Sequence, residues 1–396
     1  MIHSLLFSIL LIASSGLSAY QPPAELFSPF IPLKILATFT TLPQPLGSKY
    51  PQYTDHAGAW QYLPPDVWTS GFLPVSAYAL NARRVMCRAT PANALGIADW
   101  LGLARAATAG LVPVGNEQRL SFAFVEELKV DAANETAREV VLKLARNLAD
   151  RFSPVVGATR SGDSSDPTSF PVIIDSVMNL ELLFHGETLS GDASFRKIAI
   201  AHADTAMANH IRDDGSTWHI VEYNATTGAV ITKRTSQGYS SSSTWSRGQA
   251  WSIYGFANLW KLTGDRRYLD AARRLAEYFL KNLPSGGLVP WDFDAPAIPT
   301  RRTDDSSAAT IAANALLLLA QHEKSSGAAQ MYTDAAIGLL VNITRLAWRP
   351  SWESLLANGT VTLTLEVVEI DDAYIGDYYF IKAGNELLAR GLAKCN

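Results

Sequence analysis

The sequence predicts an all-α fold in which helical hairpins close into an α/α barrel, with short β-hairpin insertions. Two observations support this prediction. Apolar residues recur at i, i+3, i+4 and i+7 in segment after segment. In addition, Leu189–Phe195 and Leu262–Tyr268 are similar heptapeptides, each with Gly-Asp between two helical segments. A helix pair repeated after roughly seventy residues indicates a solenoid or a barrel. The divergent copies and long aromatic loops favour the closed barrel.

The elements follow in order along the chain. Residues 1–19 read as a signal peptide, and 20–396 as a single barrel domain. Residues 20–60 are rich in Pro, Thr and Tyr without a sustained period, which predicts an extended lead-in with short turns. The periodicity then predicts helices over Glu139–Arg151, Gly248–Leu262, Arg267–Leu283, Ala308–His322 and Tyr332–Ala347. Alternation predicts strands over Trp218–Tyr223 and Thr360–Val368.

The polarity of these helices predicts their layer in the barrel. Inner helices are apolar on all sides, whereas outer helices keep one polar face. Gly248–Leu262 and Ala308–Ala320 fit the inner layer, and the charged segment Arg267–Leu283 fits the outer layer.

Composition narrows the class of function. The 396 residues carry a net charge of −4, and 48% are hydrophobic while 18% are charged. This composition argues against a disordered chain, and the lack of a basic surplus argues against nucleic-acid binding. The 10 Trp, 14 Tyr and 15 Phe supply many flat faces for partly apolar ligands. No nucleotide, zinc or nucleophile-elbow motif occurs, so we expect no metal or cofactor. With these motifs absent, the remaining candidate chemistry is acid–base catalysis by carboxylates, which is typical of carbohydrate-active enzymes.

Several features indicate a secreted protein without a membrane anchor. The apolar run Leu5–Ala13 is followed by small residues up to Ala19, as in a signal peptide, and it is too short to span a bilayer. Four N-x-[ST] glycosylation sequons are also consistent with secretion; they lie at Asn134, Asn224, Asn342 and Asn358. The two cysteines, Cys87 and Cys395, either form a disulfide in an oxidising compartment or remain free thiols.

Asp175 is the first candidate catalytic residue. It lies in the apolar run Val172–Leu180, where a carboxylate is either a helix N-cap or a cavity-wall group. A protonated carboxyl group at a cavity wall would act as a general acid.

Arg247 and Trp251 form the second candidate group. They are separated by one helical turn on the same face. An arginine buried beside an indole needs an anionic partner or an aromatic face. One interpretation is that Arg247 holds a sugar carboxylate above Trp251; the other is an internal Arg–Asp pair with aromatic packing.

Four further residues complete the candidate set. His219 and Gln237 lie in the hairpin-like stretch between Asp175 and Arg247, as site residues or as ordinary surface residues. Trp68 precedes a helical segment and would lie at the mouth of a barrel. For Asp305, which precedes an alanine-rich helix, turn or cap chemistry is the usual interpretation.

Taken together, these windows resemble the unsaturated glucuronyl hydrolases, glycoside hydrolase family 88, and particularly their secreted fungal members. The resemblance implies a six-hairpin (α/α)6 barrel, covers nearly the whole chain after residue 19, and follows the same order. The matching stretches are Trp68–Phe72, Phe124–Leu128, Ile173–Phe184, His219–Tyr223, Gln237–Tyr239, Ser243–Phe256, Pro290–Phe293, Asp305–Ala312 and Gly376–Tyr379.

The resemblance also implies roles for the site residues. Asp175 matches the general acid/base, Arg247 and Trp251 match residues that bind the uronate, and Trp68, His219 and Gln237 match substrate-lining positions. The implied substrate is a lyase-generated acidic oligosaccharide, of chondroitin or glycosaminoglycan type, with a 4,5-unsaturated uronic acid at its non-reducing end. The implied reaction is hydration of the vinyl ether, followed by loss of that sugar.

Two departures from the family pattern bear on activity. The family carries a second aspartate in an H-D-x-G-F segment, whereas Asn116–Phe122 contains only Glu117 as an acid. The family also usually has tryptophan where this chain has Gly162. The alternatives are a skipped coding segment or a catalytically impaired barrel that binds acidic oligosaccharides. A related unsaturated rhamnogalacturonyl hydrolase is a third hypothesis.

Overall fold

Twelve α-helices make up most of the part of the chain described by this computed structural model, namely residues 20–88, 93–114, 121–297, 303–362, 367–369 and 372–395. The signal-peptide prediction for residues 1–19 lies outside that part. The helices are α1 (Phe30–Thr41), α2 (Phe72–Met86), α3 (Trp100–Ala109), α4 (Ser121–Val130), α5 (Glu135–Asp150), α6 (Leu180–Ser190), α7 (Ser194–His210), α8 (Ser246–Thr263), α9 (Arg266–Lys281), α10 (Ser306–His322), α11 (Ser326–Ala347) and α12 (Tyr374–Ala389).

The helices form an (α/α)6 barrel, as the sequence predicted. The inner layer is α2, α4, α6, α8, α10 and α12, and α12 packs on α2 to close the ring. Each of α3, α5, α7, α9 and α11 packs on the helix before it as part of the outer layer. The predicted layers of three helices are therefore confirmed: α8 and α10 are inner helices, and α9 is an outer one.

The strands form small antiparallel sheets around the barrel. They are β1 (Tyr50–Thr54), β2 (Trp60–Leu63), β3 (Phe152–Ser153), β4 (Ala158–Thr159), β5 (Ser169–Ile173), β6 (Ile220–Asn224), β7 (Val230–Arg234), β8 (Thr360–Thr362), β9 (Val367–Glu369) and β10 (Asp372–Ala373). One sheet has the order β10-β1-β2, another β5-β6-β7, and β3-β4 and β8-β9 are two-stranded. In the second sheet, Ile173 pairs with Ile220, which places the end of β5 beside the start of β6.

Two predicted elements were wrong. The extended lead-in contains α1, because Ile31, Ile35 and Phe39 are spaced four residues apart and all three are buried. The single strand predicted over Thr360–Val368 belongs to a hairpin, in which β8 pairs antiparallel with β9. No Gly, Pro or Asn interrupts this alternating run, so the sequence carried no turn signal there.

The two cysteines form a disulfide that links the end of α2 to the C-terminal residues. The Cα atoms of Cys87 and Cys395 are 5.5 Å apart, and the bond joins positions separated by 308 residues. The disulfide alternative of the sequence analysis is therefore the correct one.

No helix in the described ranges is both long and apolar enough to cross a membrane.

Candidate active site

A cavity of about 560 Å³ follows the barrel axis. Five α8 residues line it at helical spacing: Arg247, Trp251, Tyr254, Asn258 and Lys261. Because these positions extend from the first turn of α8 almost to its last, the cavity follows most of the length of the inner helices. The candidate residues lie at its upper end, where the inner helices begin.

Asp175 faces this upper end of the cavity. It is the second residue of a 3-10 helix, Ile174–Asn179, which connects β5 to α6. Its side chain is 23% exposed and lines the cavity. The N-cap of the 3-10 helix is Ile173, so the capping interpretation of Asp175 was wrong. The cavity-wall interpretation is the correct one.

His219 lies beside Asp175 and has a defined proton arrangement. Its Nδ1 accepts hydrogen bonds from the backbone N–H groups of Ser236 and Gln237, both at 3.3 Å. The proton of the neutral ring is therefore on Nε2, which lies 3.7 Å from Asp175 Oδ2. Burial lowers the pKa of His219 to about 3, and the nearby charge of Arg247 contributes. His219 thus presents a neutral N–H to the carboxylate, and the surface alternative was wrong.

Arg247 is held by a buried acceptor set at the start of α8. Its Nη1 donates to Asp305 Oδ2 at 2.8 Å, to the Thr360 carbonyl at 2.7 Å and to Ser307 Oγ at 3.2 Å. Its Nη2 donates to Gln237 Oε1 at 3.3 Å. The internal Arg–Asp pair considered in the sequence analysis is therefore present. Both Arg247 and Gln237 also line the cavity.

Asp305 and Asp292 anchor the surroundings of Arg247. Asp305 caps α10 through a hydrogen bond from the Ala308 N–H to Oδ1, as the sequence indicated, and its other oxygen binds Arg247. Asp292 is fully buried and accepts hydrogen bonds from Tyr239 N–H and Ser243 Oγ. Burial raises the pKa of Asp292. Asp292 therefore fixes the loop that carries Gln237.

The tryptophans form part of the cavity wall. Trp245 contacts the Arg247 guanidinium at 4.6 Å and the His219 ring at 4.7 Å. Trp251 instead packs edge-on against Tyr379 at 5.5 Å. Trp68 precedes α2 and lines the cavity. The aromatic partner of Arg247 is thus Trp245, whereas the sequence analysis placed a held carboxylate above Trp251.

A close approach between α8 and the 3-10 helix positions Asp175. A Cβ atom added at Gly255 would lie 2.4 Å from Val177 Cγ2. Only glycine leaves room for this packing, so the segment that carries Asp175 is seated directly on α8.

Five of the six predicted site residues line the cavity, and the sixth, His219, lies beside Asp175. Other residues of the cavity wall were not predicted. The cavity wall also contains Tyr254, Tyr379 and Lys382. The stripe Tyr378, Lys382 and Glu386 repeats every four residues along α12, and this spacing was the available signal.

The two departures from the family pattern have different structural settings. Residues 115–120, which include Glu117, lie outside the described part, while Ser121 and Phe122 begin α4 and line the cavity. At Gly162 an added Cβ would meet nothing within 4 Å. Within the described residues, no group of three or more His, Cys, Asp or Glu side chains is arranged to hold a metal ion.

Comparison with known proteins gives a consistent set of relatives. The chain is 36% identical over 273 residues to the unsaturated glucuronyl hydrolase of Formosa agariphila, covering 66% of each chain. It is 32% identical over 260 residues to the enzyme of that name from Bacillus sp. strain GL1, covering 63% of this chain and 68% of that protein. An unsaturated chondroitin disaccharide hydrolase of Streptococcus pneumoniae is 34% identical over 189 residues, covering 47% of each chain.

Solved structures agree over a larger part of the chain. The crystal structure of an unsaturated glucuronyl hydrolase specific for heparin superposes with a TM-score of 0.83 at 25% identity, covering 94% of this chain and 99% of that one. The enzyme from Bacillus sp. GL1 superposes with a TM-score of 0.77 at 27% identity, covering 92% and 96%. No protein-family model matches the chain.

Proposed function

Because the chain belongs to the unsaturated glucuronyl hydrolases of glycoside hydrolase family 88, we propose that it removes a 4,5-unsaturated uronic acid from the non-reducing end of lyase-generated oligosaccharides. The observation that carries this proposal is the arrangement of Asp175, its neutral neighbour His219 and the Arg247–Gln237 pair at one end of a cavity. The aligned parts span about two thirds of the first two relatives.

The upper cavity suits an acidic sugar. Arg247 and Gln237 supply polar groups for a carboxylate and hydroxyls, and Trp68, Trp245 and Trp251 supply apolar faces for the sugar ring. The named specificities of the relatives, chondroitin disaccharide and heparin, are both acidic glycosaminoglycans. We therefore place the substrate of this chain in the same chemical class.

In the proposed reaction, Asp175 serves as acid and then as base. Its carboxyl group donates a proton to C4 of the unsaturated sugar, which leaves an oxocarbenium-like centre at C5. The carboxylate then accepts a proton from the water that adds at C5. The resulting hemiketal opens and the glycosidic bond breaks, so one water is consumed and no redox step occurs.

His219 positions the carboxyl group in this scheme. Its Nε2 lies 3.7 Å from Asp175 Oδ2, and its Nδ1 is occupied by two backbone donors. The ring therefore faces the carboxyl group of Asp175 as an uncharged partner in both the acid step and the base step.

We also propose that the protein is secreted. The signal-like segment 1–19, the four sequons and the Cys87–Cys395 disulfide support this, because disulfides persist in oxidising compartments.

Loss of ultraviolet absorbance tests the activity, since the conjugated double bond disappears on hydration. Lyase-cut chondroitin, heparin and rhamnogalacturonan products are incubated with the chain and with a version in which the His-Asp segment is restored near residue 116. Asp175→Asn should lower turnover about 10²–10⁴-fold while disaccharide binding persists. Asp163→Asn, at a side chain that is 92% exposed, is the control and should change neither.

The absence of an aspartate from residues 116–122 favours a second candidate function, binding of acidic oligosaccharides without turnover. Activity only in the restored version would support this candidate for the chain as it stands. Unchanged absorbance with both versions on all substrates would contradict the hydrolase proposal.

A further inference from the structure

The cavity continues well below the Asp175 site. We call this part the lower chamber. The residues that define it are Tyr254, Asn258 and Lys261 of α8, Glu126 and Lys129 of α4, Glu181 and His185 of α6, and Tyr378, Lys382, Glu386 and Arg390 of α12 and its end. Arg247 and Tyr254 are seven residues apart on α8, which corresponds to roughly 10 Å along the helix axis. A single sugar held at Arg247 therefore leaves the lower chamber unfilled.

The carboxylates of the lower chamber have nearby partners. Glu126 pairs with Lys129 at 2.6 Å, and Glu386 with Arg390 at 3.3 Å. Glu181 accepts from Asn258 Nδ2 at 3.0 Å and lies 3.7 Å from His185 Nε2.

Two cations of the lower chamber, Lys382 and Lys261, form no ion pair with a described carboxylate, and Lys261 is exposed to solvent. No described carboxylate forms an ion pair within 4 Å of the Lys382 ammonium. The groups that act on it are the phenols of Tyr254 and Tyr378 and, beyond ion-pair distance, the carboxylates of Glu386 and Glu126. Burial raises the pKa of both tyrosines, so both phenols keep their protons. Two neutral O–H groups that are able to donate therefore lie beside the ammonium, while Glu386 and Glu126 have closer partners in Arg390 and Lys129.

The helix dipole does not explain the presence of Lys382 in α12. Lys129 and Lys261 lie in the last turns of their helices, where positive charge complements the helix dipole. Lys382 lies in the middle of α12, where this effect is absent. A second donor also lacks a partner, because Arg390 Nε is buried with no acceptor among the described residues. The other Arg390 nitrogens bind the Leu317 carbonyl and Glu386.

We propose that the lower chamber is a second anion-binding site, in which Lys382 and the hydroxyls of Tyr254 and Tyr378 bind a small oxyanion such as sulfate or a carboxylate. This site is separate from the Asp175 centre and does not depend on turnover.

Thermal unfolding in the presence of added anions tests the site. Sodium sulfate and sodium acetate are titrated against sodium chloride at constant ionic strength. For the wild type we expect a saturable rise in melting temperature with an oxyanion, because a ligand that binds only the folded state stabilises it. Lys382→Met should weaken the apparent affinity at least about tenfold, the loss expected for about 1.4 kcal/mol. Lys281→Met, at an exposed lysine on α9, should behave as the wild type.

A second variant and a second readout cover the case in which Lys382→Met does not fold. Lys382→Arg keeps the charge and should retain saturable binding, and isothermal titration calorimetry with sodium sulfate measures anion binding to the wild type directly. Equal saturation in Lys382→Met and the wild type, saturation with chloride alone, or no saturation with any anion would each overturn the proposal. Competition of the bound sulfate by a lyase-cut disaccharide would identify the substrate as the source of the anionic group; absence of competition would identify a free anion.

Discussion

The ion pair between Arg247 and Asp305 is nearly excluded from solvent. The two side chains are 3% and 0% exposed, and the nitrogen–oxygen distance is 2.8 Å. Removing one partner leaves an uncompensated buried charge, which costs about 3–5 kcal/mol of unfolding free energy. Asp305 also caps α10, and loss of an N-cap costs about 1 kcal/mol more. We therefore expect Asp305→Ala to lower the unfolding free energy by about 4–6 kcal/mol.

Asp265 provides a matched control at the surface. It also caps a helix, α9, and pairs with an arginine, but its side chain is 33% exposed and that of Arg267 is 54% exposed. Exposed pairs contribute about 0–1 kcal/mol, so Asp265→Ala should cost only about 1–2 kcal/mol. Asp305→Asn preserves an N-cap acceptor, so it should be less destabilising than Asp305→Ala.

Guanidinium unfolding, with the midpoint and slope recorded for each variant, measures these differences. The double variant Arg247→Met/Asp305→Ala removes both charges and should recover part of the loss. If Asp305→Ala costs no more than Asp265→Ala, or if the double variant is as unstable as the sum of the single ones, the pair is not energetically coupled and the reasoning fails.

Three further predictions concern stability. Burial lowers the pKa of His202 to about 3 and of His210 to about 4, so the unfolded chain takes up protons first as pH falls below about 6.5. The unfolding free energy should then fall by about 1.4 kcal/mol per pH unit for each histidine down to about pH 4, and a flat profile of urea midpoints would contradict this. Replacing Cys87 by serine, which removes its bond to Cys395, should cost about 2–5 kcal/mol, and an unchanged melting temperature would argue against a stabilising cross-link. Gly255→Ala should cost about 1–3 kcal/mol by overpacking and should slow turnover; wild-type melting and rate would show that the contact is not tight.

The helical elements were predictable because their pattern is local. The five predicted helices coincide with α5, α8, α9, α10 and α11 to within a few residues at most boundaries, but α5 and α11 begin four and six residues earlier than predicted. The glycine of the repeated Gly-Asp pair was interpreted correctly, since Gly191 and Gly264 end α6 and α8 in the left-handed conformation. The aspartate caps the next helix only in the second copy, at Asp265, because the N-cap of α7 is Ala193. The lead-in helix α1 was missed because its proline and three threonines outweighed a short apolar stripe.

The sequence by itself determined two inner helices, α8 and α10, and the family resemblance, and it predicted six site residues, because each depends on local pattern or on motif identity. Only the tertiary structure decided what those residues do to one another. It paired Arg247 with Asp305, 58 positions away in the chain, and it placed the His219 proton on Nε2 through backbone donors from another segment. It also placed Lys382 below the site. These outcomes depend on contacts between segments that are distant in the sequence. Local sequence patterns do not indicate which buried charge will pair with which partner.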